Sequence, residues 1–275
     1  MHASNTVNHD SIFLTRLRLE PAVLVCVDAT EGSVPREAGT WMAVFAEALV
    51  GTIGGGQLEY QAIERARQWL KVDAASHAAG PVLRVALGPA LGQCCGGVVY
   101  LRFEKVTLTD LPVLAIRLRP RLLAVALFGG GHVGLALVRV LSRLPFAVTW
   151  VDSRDGVFPD NLPDNVVCEQ SEPVQAAVRA LAPNSRVLIM SFSHAEDLDV
   201  VAACLQRQRA QADLPYIGLI GSATKWASFR QRLEARGFTA AELAHVTSPI
   251  GVPGINGKAP EVIAVAVAAQ LLQTL

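Results

Sequence analysis

A continuous apolar run, residues 122–128 (LLAVALF), leads directly into Gly129-Gly130-Gly131-His132-Val133-Gly134. The run reads as a parallel-type strand buried on both faces. The glycines match the spacing Gly-x-Gly-x-x-Gly. They open an amphipathic segment that would bury Val133, Leu137, Val140, Leu141 and Leu144. A second strand, 147–151, ends at Asp152, about twenty residues past the glycines, where a ribose-binding acid belongs. Strand, glycines, helix, strand and acid in this register predict a Rossmann-like unit. They leave open whether a nucleotide binds. Arg154 follows the acid, so NAD and NADP are not distinguished.

The alternation continues downstream. Strands are expected at 187–191 and 216–220, and helices at 196–207, from Ser222 or Thr224 to Gly237, and at 261–272 behind Pro260. The last helix is apolar on nearly all sides and is expected to be buried. A parallel sheet covered on both faces follows, with ligands at the carboxyl ends of its strands. Those ends would carry His132, Asp152, His194 and Ser222, with Lys225 one turn further on.

The first half has a different texture. Residues 22–27 (AVLVCV) predict a buried strand, 29–39 a polar loop, and 41–45 with 48–53 a hairpin. Gly54-Gly55-Gly56 then opens a helix with Leu58, Ala62, Ala66, Trp69 and Leu70 on one face. Three glycines before a helix would offer backbone N–H groups to an anion such as a phosphate. Gln57 and Glu59 sit in the first turn, either to read a ligand or, for Glu59, to complement the helix dipole. Strands at 82–87 and 98–103 flank Gly92-Gln93-Cys94-Cys95-Gly96-Gly97. Adjacent thiols in a glycine turn suit a soft metal or sulfur exchange, although free cysteine also serves as a small buried hydrophobe. The fold class is therefore α/β. An N-terminal α+β domain (1–110) is followed by a Rossmann-like domain (120–275), with residues 105–121 as the joint.

Composition excludes some function classes. The 24 basic and 24 acidic residues cancel, which gives no support to nucleic-acid binding driven by charge. No apolar run is long enough to span a bilayer, and residues 262–272 read as a buried helix. Five cysteines with irregular spacing and a polar, signal-free start point to a reducing cytoplasm. A homodimer is compatible with a chain that is 51% hydrophobic.

Taken in order, several stretches resemble the XdhC/CoxI family, accessory proteins that mature xanthine dehydrogenase and related molybdenum hydroxylases. They are Gly32-Ser33-Val34-Pro35-Arg36 with Gly39, Gly51-Thr52-Ile53-Gly54-Gly55-Gly56 with Glu59, and the Gly92–Gly97 thiol turn. In the second half they are Phe128 with the glycine turn, and Ser248-Pro249-Ile250-Gly251. The resemblance implies a chaperone that binds molybdenum cofactor (molybdopterin), protects it and delivers it to the molybdenum subunit of apo-xanthine dehydrogenase. A cysteine desulfurase would be a further partner. Cys94 and Cys95 would contact the molybdenum centre in preference to relaying sulfur, and Arg36 would pair with a phosphate or oxo group. The implied cofactor-binding set is Arg36, Gly54, Gly55, Gly56, Gln57, Glu59, Gln93, Cys94, Cys95, Gly129, Gly131, His132, Gly134 and Asp152. The chain departs from the family pattern at Ser191-Phe192-Ser193-His194, at Asp152-Ser153-Arg154 and at Gly257-Lys258-Ala259-Pro260, which weakens the case for a metal at that edge.

Two other readings compete with a chaperone that has no turnover of its own. One is an NAD(P)-dependent oxidoreductase using Gly129–Gly134 and Asp152, for which no Tyr-x-x-x-Lys partner is visible. The other is a thiol or metal sensor, for which no closed Cys/His spacing is visible.

Overall fold

The computed structural model describes residues 9–71, 79–88 and 96–275. The chain divides into two units, one ending at Arg119 and one spanning Pro120–Leu275.

The first unit is α+β. Its elements are α1 (His9–Leu17), β1 (Ala22–Glu31), β2 (Trp41–Val44), β3 (Leu49–Gly51), α2 (Gly56–Leu70), β4 (Ala79–Ala86), β5 (Val98–Val106) and α3 (Leu111–Arg117). The five strands form an antiparallel sheet in the order β3-β2-β1-β5-β4. Strand β1 is central, and successive side chains alternate between its faces. Val23, Val25 and Val27 pack under α2 with Leu58, Ala62 and Ala66. Ala22 and Leu24 face Phe13, Leu17 and Leu114 of α1 and α3. Both faces are covered, so the strand reads as an unbroken apolar run.

Residues 105–121 are not a simple joint. Thr107 and Asp110 cap a short 3-10 turn, the Thr107 N–H donating to Asp110 Oδ2 at 2.8 Å. Helix α3 follows with Pro112 in its first turn and buries Leu114 in the first unit's core. The Arg117 guanidinium anchors its end on Glu104 at 2.6 and 3.2 Å.

The second unit is a Rossmann-like domain. It contains β6 (Leu123–Phe128), α4 (His132–Leu141), β7 (Phe146–Asp152), β8 (Val166–Gln170), β9 (Arg186–Ile189), α5 (His194–Gln211), β10 (Tyr216–Leu219), α6 (Ala223–Ala235), α7 (Ala240–Leu243), β11 (Val246–Thr247) and α8 (Pro260–Leu272). Its six strands are all parallel, in the order β11-β10-β9-β6-β7-β8. Counted from β6, this is the dinucleotide-binding order 3-2-1-4-5-6 reversed, with the switch point between β6 and β9. One face packs on α4 and α8, the other on α5, α6 and a 3-10 stretch, Val174–Ala180. Helix α8 departs from expectation. As an outer helix it buries one side (Ala264, Val267, Ala268, Leu271), while Val265 is 54% exposed.

Candidate functional site

The first unit draws three sequence motifs together. Gly54, Gly55 and Gly56 all adopt positive φ (123°, 75° and 65°), which explains three glycines in succession. The turn leads into α2, with Gly55 as its N-cap. A Cβ placed on Gly54 would lie 2.9 Å from the Pro35 ring and 3.4 Å from Arg36 Cγ, so the 32–36 loop rests directly on this turn. A Cβ on Gly97 would lie 2.5 Å from the carbonyl oxygens of Glu31 and Ser33. The 32–36 loop therefore contacts both the Gly54 turn and the glycine that closes the thiol turn. Gln93, Cys94 and Cys95 themselves lie outside the described residues.

Two of the N–H groups in the glycine turn, those of Gly54 and Gly55, are already engaged within the turn. Glu59 Oε2 accepts from the Thr52 hydroxyl, from Ile53 N–H at 3.0 Å and from Gly55 N–H at 3.1 Å. Gly54 N–H donates to Thr52 Oγ1 at 3.1 Å. Glu59 and Thr52 thus close part of the turn from inside, and the phosphate-cradling expectation is corrected for the Gly54 and Gly55 N–H groups. A carboxylate already holds the place an anion would take. The groups facing outward are Arg36 and Gln57, both exposed. No carboxylate pairs with Arg36 among the described residues.

The second glycine turn is closed in the same sense. A Cβ on Gly129 would lie 2.0 Å from Met190 O, and one on Gly134 would lie 2.1 Å from Gly129 O. These glycines let β6, β9 and α4 approach backbone to backbone. Trp150, fully buried, donates its indole N–H to Gly129 O at 2.9 Å. The Val157 side chain covers Gly130. Gly131 is different: nothing lies within 4 Å of its Cβ position, and it is exposed with His132 at the start of α4.

Asp152 does end β7, but it points inward. It is 1% exposed, and its Oδ2 accepts from Gly130 N–H at 2.6 Å. Its Oδ1 accepts from the Arg154 backbone N–H at 2.9 Å. The Arg154 guanidinium spans the carboxylate, with Nε on Oδ1 and Nη2 on Oδ2, both at 2.9 Å. Burial pushes the Asp152 pKa up. The bonds from Arg154 and Gly130 outweigh that and hold it below the usual carboxylate range. Arg154 in turn lies over the Phe192 ring, 4.5 Å from its centroid.

The remaining strand ends form a second polar knot. Lys225 Nζ donates to Asp197 Oδ2 at 2.6 Å and to Ile220 O at 2.9 Å, and Ser191 N–H donates to Asp197 Oδ1 at 2.7 Å. Ser193 caps α5 and Ser222 caps α6. His194 is exposed and meets Phe229 edge-on. No group of three or more His, Cys, Asp or Glu side chains suited to a metal occurs among the described residues. Burial pushes the Cys26 thiol up to about 11 and Cys204 to about 12, so neither is a thiolate at neutral pH. No helix among the described residues is long and apolar enough to cross a membrane.

Sequence reasoning identified the two acids and missed what they hold. Thr52 and Arg154 were named there only as members of their motifs, without the contacts they make. The only linear signals were a hydroxyl before the glycines and a cation two places after the acid.

A parallel sheet in dinucleotide-binding order, preceded by an antiparallel α+β unit, defines a two-unit protein of the Rossmann class. A family model described as the XdhC Rossmann domain matches residues 125–271, and one described as the XdhC and CoxI family matches residues 16–79. The chain belongs to the XdhC family. It is 28% identical over 270 residues to the uncharacterized protein YqeB of Escherichia coli K12, covering 96% of this chain and 46% of YqeB. The chain thus spans about half the length of that curated relative. A crystal structure described as a xanthine dehydrogenase from Bacillus halodurans superimposes with a TM-score of 0.76 at 20% identity, covering 96% of this chain and 95% of that one. That likeness establishes the fold.

Proposed function

We propose that this chain is an accessory factor in the maturation of a xanthine-dehydrogenase-type molybdenum hydroxylase, and that it holds molybdenum cofactor and passes it to the apo-enzyme. The observation that carries this reading is the packing of the 32–36 loop against both Gly54 and Gly97 in a chain of the XdhC family. That packing sets an exposed Arg36, free of a carboxylate among the described residues, on the Gly54 turn, in the unit whose thiol turn ends at Gly97.

The group such a carrier would bind is a pterin with a phosphate tail and a molybdenum atom held by dithiolene sulfurs. Arg36 suits the phosphate, because a guanidinium recognises it through paired N–H donors. Gln57 offers an amide that both donates and accepts, which suits the edge of a pterin. Glu59 takes a positioning role: it fixes the turn on which Arg36 rests. Cys94 and Cys95 are assigned to the molybdenum side of the group. In this reading the chain carries out no turnover of its own, and its partners are the molybdenum subunit and a cysteine desulfurase.

Reconstitution tests the reading. Apo-xanthine dehydrogenase supplied with molybdenum cofactor should gain activity when this chain is added. Equal activation with and without the chain would remove the accessory role.

A further inference from the structure

The Rossmann order of the second unit implies a dinucleotide, and the residues at its switch point do not fit one. We propose that Arg154 fills, from within the chain, the place that a ribose diol would take on Asp152, so that the wild-type unit does not take NAD(H) or NADP(H). This inference does not rest on the maturation role.

The geometry is a substitution of like for like. A ribose diol engages the acid at the end of this strand through its 2′-hydroxyl, with the neighbouring hydroxyl beside it. Here Nε and Nη2 of Arg154 make two such donations, one to each oxygen, both at 2.9 Å. The guanidinium adds a charge that hydroxyls lack, so its bonds are the stronger kind. The carboxylate's other contacts, from the N–H groups of Gly130 and Arg154, complete its acceptor capacity. It is left 1% exposed.

Two further side chains hold this closure, one from another segment and one from the loop that carries Arg154. Phe192, from the loop after β9, provides the aromatic face under the guanidinium. Val157 covers Gly130 in the turn, where a pyrophosphate would need close backbone approach. A dinucleotide would have to displace an ion pair and an isopropyl group before reaching Asp152 and the Gly130 backbone.

Titration with NADH and NADPH, followed by ligand fluorescence, tests the proposal on the full chain. The variants are Arg154→Ala, Arg154→Ala/Asp152→Asn and Phe192→Ala, each first shown by thermal melting to be folded. Arg154→Ala leaves the buried Asp152 carboxylate with the Gly130 and residue-154 N–H groups as donors, and the double variant removes that charge, so the two melts together separate loss of fold from loss of closure. Wild type should show no saturable response up to about 1 mM, and Arg154→Ala should bind at least about tenfold more tightly than wild type. The double variant should lose that gain, and Phe192→Ala should show part of it. Saturable binding by wild type would overturn the proposal. So would a folded Arg154→Ala chain that remains silent, or a gain that persists without Asp152.

Discussion

Both units of this chain carry a glycine turn at the mouth of a helix, and both close it with one of their own carboxylates. In the first unit the closure is local: Glu59 reaches back over four to seven residues to Gly55, Ile53 and Thr52. In the second it is long-range: Asp152 crosses from β7 to Gly130, twenty-two residues away, and is itself covered by Arg154. The first turn keeps its exposed cation, Arg36, free of a carboxylate among the described residues. The second spends its nearest cation on the acid. Glycine turns of similar sequence thus face a ligand with different remaining chemistry. The first has an available guanidinium, and the second has a neutralised, filled pocket edge.

Substitutions can break this comparison in graded steps. The largest effect should come from Gly129→Ala, which combines positive φ (123°) with a Cβ 2.0 Å from Met190 O. It should cost about 3 kcal/mol or more in chemical denaturation, if the chain folds at all. Glu59→Gln should come next, at about 1–3 kcal/mol, because an amide replaces a charged acceptor of three bonds in a partly buried turn. Its effect should be confined to the first unit, visible as faster amide exchange at Ile53 and Gly55.

Acid should act on the other turn. Asp152 has a folded pKa below its unfolded value, so its stabilising contribution is complete above about pH 4 and fades as pH falls further. Glu242 follows the same sign, held down to about 2 chiefly by Arg209 and then by Thr239. Urea midpoints of wild type should therefore decline below about pH 4, and Asp152→Asn should flatten part of that decline. An unchanged slope would show that the Asp152–Arg154 pair contributes nothing to stability. The smallest effect belongs to Gly131→Ala, at ordinary φ with open space around it, which should shift stability by no more than about 0.5 kcal/mol.

The second unit was legible in sequence where periodicity and glycine spacing agreed. Residues 122–152 became β6, the turn, α4 and β7 almost residue for residue, because a doubly buried strand must be apolar throughout and its helix must open on glycine. Less visible was β8, whose Cys168, Glu169 and Gln170 break the apolar pattern of a strand that pairs only with β7 in this sheet. Two-residue β11 carries too few positions to show any period. Helix α3 was hidden by Pro112, by Arg117 at its end and by the two arginines that follow it, and in retrospect Thr107-x-x-Asp110 followed by Pro112 is a helix-start signal.

The site was legible as a set of residues and not as a set of contacts. Asp152 stood at the expected strand end, but its inward turn depends on Arg154, Gly130 and Phe192 meeting in space. Glu59 was weighed as a ligand reader or a dipole complement. Its part in holding Thr52 and Ile53 appears only once the turn is folded. The packing of Pro35 on Gly54 and of Ser33 beside Gly97 had no linear signature.

The central claim is that the first unit, with Arg36 and the thiol pair, holds molybdenum cofactor. Its most direct test is the pterin and molybdenum content of the chain purified from a molybdenum-replete host, measured as oxidised-pterin fluorescence and elemental molybdenum per chain. Wild type should carry both in near-equal amounts, and Arg36→Ala and Cys94→Ala/Cys95→Ala should lose them while melting as wild type does. Wild-type protein free of both, or variants that retain them in full, would contradict it.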